Sequence, residues 1–238
     1  MTVKFEQLAQ RTTPGAVYDA IKAHILDGTL PAGGQLREAH IAADMGISRA
    51  PLREALTKLE EDGLIVKIAF RGAFVAEVSA ETIAEIATLR VLVEPYAVEL
   101  SKDLIRGDRR SDLDAAVKNL HEATDRKDVA ASIDAHLQFH RLFYVCAGNK
   151  LLLEMWEGWE SKLRLFFAAD HRAFPDLHDV ATEHEKLAHL ILTADMDNVR
   201  RELAHHIHAA PGHSVSEDSN APSEAKDGNR PPPTAIPA

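Results

Sequence analysis

Apolar positions recur every three or four residues along most of the chain, and the breaks between those runs mark out its elements. Thr13-Pro14, an N-cap followed by a first-turn proline, opens a helix whose inward line is Val17, Ile21 and Ile25. Gly28, Pro31, Gly33 and Gly34 end it. A second short helix is expected from about Arg37 to Met45, stopped by Gly46. Ser48 is placed to cap a third, with Pro51 tolerated in its first turn and Leu52, Leu56 and Leu59 facing inward. After Asp62-Gly63, two apolar runs, Leu64–Phe70 and Ala73–Val78, are joined by Arg71-Gly72, which predicts a β-hairpin. From Ala80 to Ala210 the period is helical throughout, with helices expected near 80–106, 110–126, 128–147, 150–173, 177–194 and 196–210. Residues 1–12 read as a flexible arm. Residues 211–238, rich in Pro, Ser and Asp and almost without large apolar side chains, read as a disordered tail.

The predicted fold is mainly α. A winged helix-turn-helix (three helices plus a hairpin wing) spans 13–78, and an all-helical bundle spans 79–210. At 238 residues the chain can bury two modest cores. No apolar run approaches the roughly 20 residues of a membrane span, and the N-terminus lacks the apolar stretch of a secretory signal. A single cysteine, Cys146, excludes an internal disulfide and suits a reducing cytoplasm. The formal net charge of −10 looks wrong for a DNA-binding protein until it is divided. Residues 1–75 carry nine Lys and Arg against nine Asp and Glu, and the remainder carries eighteen against twenty-eight. Only the first part is electrostatically compatible with a polyanion.

The chemistry of that first part lies on the third helix and the hairpin. With Leu52, Leu56 and Leu59 turned inward, Arg49 and Arg53 share the opposite face near the helix N-terminus. That end of a recognition helix enters the major groove, where Arg pairs bidentately with guanine. Arg71 at the hairpin tip, next to a glycine that lets the backbone come close, suits phosphate or minor-groove contact. Taken singly, each arginine is as well explained as part of a solvated face. The combination is more specific.

The stretch LREAHIAADMGISRAPLREALTKLEEDGLIVKIAFRGAFV resembles the winged helix of the GntR family of bacterial regulators, over about residues 14–78. Leu36, Glu38, Gly46, Ser48, Arg49, Pro51, Arg53, Glu54, Leu56, Gly63, Arg71, Gly72 and Val75 are among the matching positions, while Ala50 stands where threonine is common. The resemblance implies that Ser48, Arg49, Arg53, Arg71 and Gly72 touch double-stranded operator DNA, with Arg37 a weaker phosphate contact. It also implies a repressor acting as a homodimer on a palindromic operator.

The helical part is marked by histidine. His136 and His140 sit four apart on the apolar side of one helix, His184 falls on the stripe of Val180, Leu187 and Ile191, and His206 on that of Val199, Leu203 and Ala210. A lone inward histidine is usually a hydrogen-bonded core residue. Four from three helices are how a bundle builds a metal site. His136-Leu-Gln-Phe-His140, Ala147-Gly148-Asn149, Glu183-His184 and His205-His206-Ile207 resemble the FCD-type ligand-binding domain that accompanies this winged helix. Such domains bind a divalent metal through an Asp-x-x-x-His pair and two later histidines; here His136 replaces the aspartate. Four nitrogens suit zinc, or nickel, better than manganese.

Arg90 lies on an apolar stripe drawn through Ile83, Ile86, Val93, Ala97, Leu100 and Leu104, and an inward Arg needs an anion. Glu94 is the ordinary helix partner; a small carboxylate effector is the functional one and is placed ahead, since the FCD resemblance implies an Arg-x-x-x-Glu pair and organic-acid sensing. Arg164, on a helix with Trp156 and Trp159, is expected to line the same effector pocket. A helical metalloenzyme of hydrolase type would use the four histidines differently, needing a convergent general base that the sequence does not supply, and would leave the winged helix unexplained. An adaptor that had lost DNA binding would lack Arg49 and Arg53.

Overall fold

The structure is a computed structural model that describes residues 13–173 and 176–208; the expected arm and tail lie outside the described residues. The chain order is α1 (Pro14–Leu26), β1 (Gln35–Leu36), α2 (Glu38–Met45), α3 (Arg49–Glu61), β2 (Ile65–Ile68), β3 (Gly72–Val75), then α4 (Ala80–Arg106), α5 (Arg110–Asp125), α6 (Val129–Cys146), α7 (Lys150–Ala173), α8 (His178–Thr193) and α9 (Met196–His208). The mainly α reading therefore holds, and each predicted helix starts and stops within a few residues of its expected limits.

Local chemistry explains the boundaries. Thr13 accepts from the Ala16 amide and Ser79 from the Thr82 amide, the reciprocal of the orphan donors that begin a helix. Gly46 closes α2 in the left-handed region at φ 68°, which turns the chain sharply into α3. Ser48 occupies the cap position of α3 but makes no side-chain cap bond, contrary to expectation.

A first core gathers Val17, Ile21, Leu36, Ile41, Met45, Leu52, Leu56, Leu59 and Ile65 under the winged helix. The wing is a three-stranded antiparallel sheet ordered β1-β3-β2, with Ile65 opposite Val75 and Ile68 opposite Gly72. The two-residue β1 was not foreseen. It pairs Gln35 with Phe74 and lets the Gln35 amide donate to the Arg71 carbonyl at 2.8 Å, tying down the wing.

The second core lies in the bundle, around Val98, Ile105, Leu137, Phe139, Phe143, Tyr144, Trp156 and Leu203. On α4 the buried line is Ile83, Ile86, Ala87, Arg90, Glu94, Ala97, Val98, Ser101 and Ile105. Leu100 and Leu104, expected inward, are 42% and 39% exposed. The cause is phase: the expected stripe advances about every 3.5 residues and the helix turns about every 3.6, so over 27 residues the stripe falls one position short of the buried Ser101 and Ile105. The two cores touch along α7, whose Ser161 comes so near Gly63 that an added Cβ would lie 2.7 Å from its Oγ.

Candidate functional site

On the winged helix, Leu52, Ala55, Leu56 and Leu59 are buried, which leaves Ser48, Arg49 and Arg53 exposed at the first turns of α3. Arg53 Nε donates to Glu38 Oε2 at 3.0 Å, so α2 holds its guanidinium in place. Arg37 is exposed and donates to Gln35 Oε1 at 3.3 Å. Arg71 lies beside the Phe74 ring, 5.5 Å from its centroid, and Gly72 is exposed next to it. The arginines and the free Ser48 hydroxyl thus face solvent on one domain, as a phosphate- and base-reading surface requires.

In the bundle, His136, His140, His184 and His206 each offer one ring nitrogen, and those four atoms all lie within 4.8 Å of one another. Two of the tautomers follow from their partners. His140 Nδ1 lies 2.5 Å from Glu94 Oε1, and His184 Nδ1 lies 2.7 Å from the Val180 carbonyl. Carboxylate and carbonyl accept only, so both Nδ1 atoms carry the proton and both Nε2 atoms are bare. Those two Nε2 atoms stand 3.2 Å apart. Two lone pairs directed at each other repel, and a cation between them removes the repulsion.

The surroundings keep the imidazoles neutral. Burial holds His136, His184 and His206 well below the usual histidine range, and the neighbouring rings add to the effect. Burial also lowers His140, with Glu94 pulling the other way. Glu94 itself is wholly buried, yet Arg90 and His140 outweigh the cost of burying its charge and bring its pKa down to about 2. Neutral nitrogens backed by an ionised carboxylate are the state a divalent ion binds.

Arg90 is 4% exposed, and its Nε donates to Glu94 Oε2 at 2.9 Å. The ordinary helix partner, Glu94, thus holds the guanidinium. Its Nη2 is 2.9 Å from the same oxygen but off the hydrogen-bonding direction, so that donor remains buried and unused. Trp156 covers the guanidinium, 5.5 Å from ring to charge, and packs 5.0 Å from Tyr144.

Comparison with known proteins matches residues 13–75 to the profile "Bacterial regulatory proteins, gntR family" and residues 85–209 to the FCD domain. The chain belongs to the GntR family. A Paenarthrobacter nicotinovorans protein described as a probable D-xylose utilization operon transcriptional repressor is 29% identical over 88% of this chain and 92% of its own. The gluconate operon transcriptional repressor of Bacillus licheniformis is 23% identical over 82% of each. A GntR regulator structure from Rhodococcus sp. RHA1 superposes with a TM-score of 0.61 at 24% identity, covering 83% of this chain and 94% of that one, which supports the fold. This GntR regulator binds DNA to control transcription and is not an enzyme.

Three residues were missed or misplaced by sequence reasoning. His171 on α7, 2% exposed, sets its Nε2 3.1 Å from His136 Nδ1 and its Nδ1 3.2 Å from Ser132 Oγ. Arg164 does not join the histidines; it binds Asp134 and Glu160 and lines a polar cavity of about 360 Å³ with Tyr18, Asp62 and Gly63, where bundle and winged helix meet. Its 24-residue helix has two occupied faces, and periodicity alone does not say which neighbour each meets. Phe70, at the wing tip, is fully exposed and holds a left-handed φ of 62°.

Proposed function

We propose that this GntR regulator is a repressor, acting in the cytoplasm as a homodimer on a palindromic operator, whose DNA affinity answers to a small organic acid bound beside a divalent metal. The observation that carries the metal is the pair of bare nitrogens of His140 and His184 at 3.2 Å. His136 and His206 complete a four-nitrogen set suited to zinc, with nickel as the second choice. A bound ion would supply a Lewis-acidic point for an effector carboxylate. The protein supplies the rest: Glu94 fixes the His140 ring, Val180 fixes His184, and the unused Arg90 Nη2 offers a buried donor to the same carboxylate.

Reading of DNA rests with Arg49 and Arg53 on bases and with Arg37, Ser48, Arg71 and Gly72 on the backbone. A second copy is supported by α4, whose Leu89, Leu92, Tyr96, Leu100 and Leu104 form an exposed apolar line. Two copies place two recognition helices on two half-sites. No helix among the described residues is long and apolar enough to cross a membrane.

Elemental analysis of chain purified without chelator or nickel resin tests the metal. One ion per chain is expected, lost in His140→Ala and retained in His136→Asp. Metal-free protein whose melting temperature does not move with added zinc would overturn this reading.

A further inference from the structure

We propose that His171 is the positioning residue that turns His136 into a metal ligand, by holding the tautomer of its ring. The inference rests on the metal reading above and concerns the ligand where this chain has imidazole in place of carboxylate. His140 and His184 are fixed as Nε2 ligands by acceptor-only partners. His136 is not, because its Nδ1 meets another histidine, His171 Nε2 at 3.1 Å, and His171 Nδ1 meets the Ser132 hydroxyl at 3.2 Å. Every group in that chain can either give or take a hydrogen bond.

The chain has two directions. When Ser132 donates to His171 Nδ1, His171 donates from Nε2 to His136 Nδ1, and the His136 proton sits on Nε2, facing the cluster as N–H. When His136 donates from Nδ1 to His171 Nε2, His171 donates from Nδ1 to the Ser132 oxygen, and His136 Nε2 is bare. Each ring and the hydroxyl keep one proton in both arrangements, so the exchange costs no charge inside the core. Only the second arrangement binds a metal through Nε2. In the first, the N–H lies among bare nitrogens that can accept it, which stabilises the cluster without an ion. The Ser132–His171–His136 chain is thus a tautomer switch thrown by the metal. The nearly parallel rings of His136 and His171, 11° apart, keep both directions in reach without rearrangement.

A carboxylate at position 136 would need no such partner, which makes a mutant cycle the test. Zinc affinity of the full chain is measured by competition with a chromophoric chelator, and ring tautomers by nitrogen-15 NMR with and without zinc. His171→Phe is expected to weaken zinc by about 10–100-fold, the usual effect of removing a partner of a ligating histidine. His171→Gln, whose amide oxygen can accept, should recover part of that loss. In a His136→Asp background, His171→Phe should cost about threefold or less, as for independent groups. The zinc-bound spectrum should show His136 protonated at Nδ1 and the zinc-free spectrum at Nε2. Equal losses in both backgrounds, or an affinity within about twofold of wild type, would mean that His171 only fills space. Failure of the unmutated chain to bind zinc would instead overturn the metal reading and this inference with it.

Discussion

Asp134 on α6 holds Lys22 on α1 at 2.9 Å, an ion pair that crosses from the bundle to the winged helix. Arg164 binds the same carboxylate, and Asp134 lies two residues before His136. One helix therefore carries two of the four clustered histidines and a contact to the DNA-binding domain. Coupling between sites needs an element that both can bias, and α6 is placed to be one. The Asp134 side chain is 42% exposed, so Asp134→Asn should change stability by no more than about 1 kcal/mol. It should nevertheless shrink the difference in operator affinity with and without zinc, read by fluorescence anisotropy on an operator selected from a random library. An unchanged difference would remove α6 as the route.

Arg49→Ala and Arg53→Ala should each cost about 1–3 kcal/mol of specific binding, as for loss of a base contact. Arg71→Ala should weaken all sequences alike and lower the salt slope by about one ion. Phe70→Asn removes an apolar ring from a tip whose left-handed backbone asparagine tolerates. It should leave the melting temperature level or higher and reduce operator affinity at minor-groove positions. Unchanged operator affinity of the Arg49→Ala/Arg53→Ala double variant would contradict the surface assigned to DNA.

The metal-free protein should be acid-sensitive. His136, His140, His184 and His206 all sit below the usual 6.5 when folded, and His171 falls to about 4 through burial. Depressed folded values mean that the unfolded chain binds more protons once the pH drops below 6.5. Stability is therefore full above that pH and declines beneath it, by up to about 1.4 kcal/mol per pH unit for each histidine that stays neutral when folded. Urea midpoints measured from pH 7.5 to 5 should fall steeply. Zinc should raise the midpoint most at the upper end, where ligation does not compete with protons. A flat profile would show that the rings are solvated.

Leu92 is 69% exposed at the centre of the α4 line. Leu92→Glu should give a monomer by sedimentation and lose operator affinity while the fold is kept. A dimer that survives this change would move the interface elsewhere.

Helix limits were legible because caps and breaks are local: Thr13, Ser79 and Gly46 act within a turn of themselves. The histidine quartet was legible because each member lies on its own helix's apolar stripe. His171 was not, since its meaning depends on Ser132 and His136, more than thirty residues away on another helix. Arg164 lies on a helix that faces two domains, and its partner Asp134 comes from a different segment of the chain. Strand β1 is two residues long, too short for any period, and exists because β3 offers it an edge.

The exchange of aspartate for His136 also alters the charge balance of the core. Among the residues at the cluster, Arg90 and Glu94 cancel, and the four imidazoles are neutral. A divalent ion there would leave two positive charges enclosed by Phe139, Phe167 and Trp156 with nothing among these groups to offset them. Unbalanced charge in so buried a setting is costly. With an ion held there, electroneutrality would favour a dianion over a monoanion, and either over an uncharged sugar.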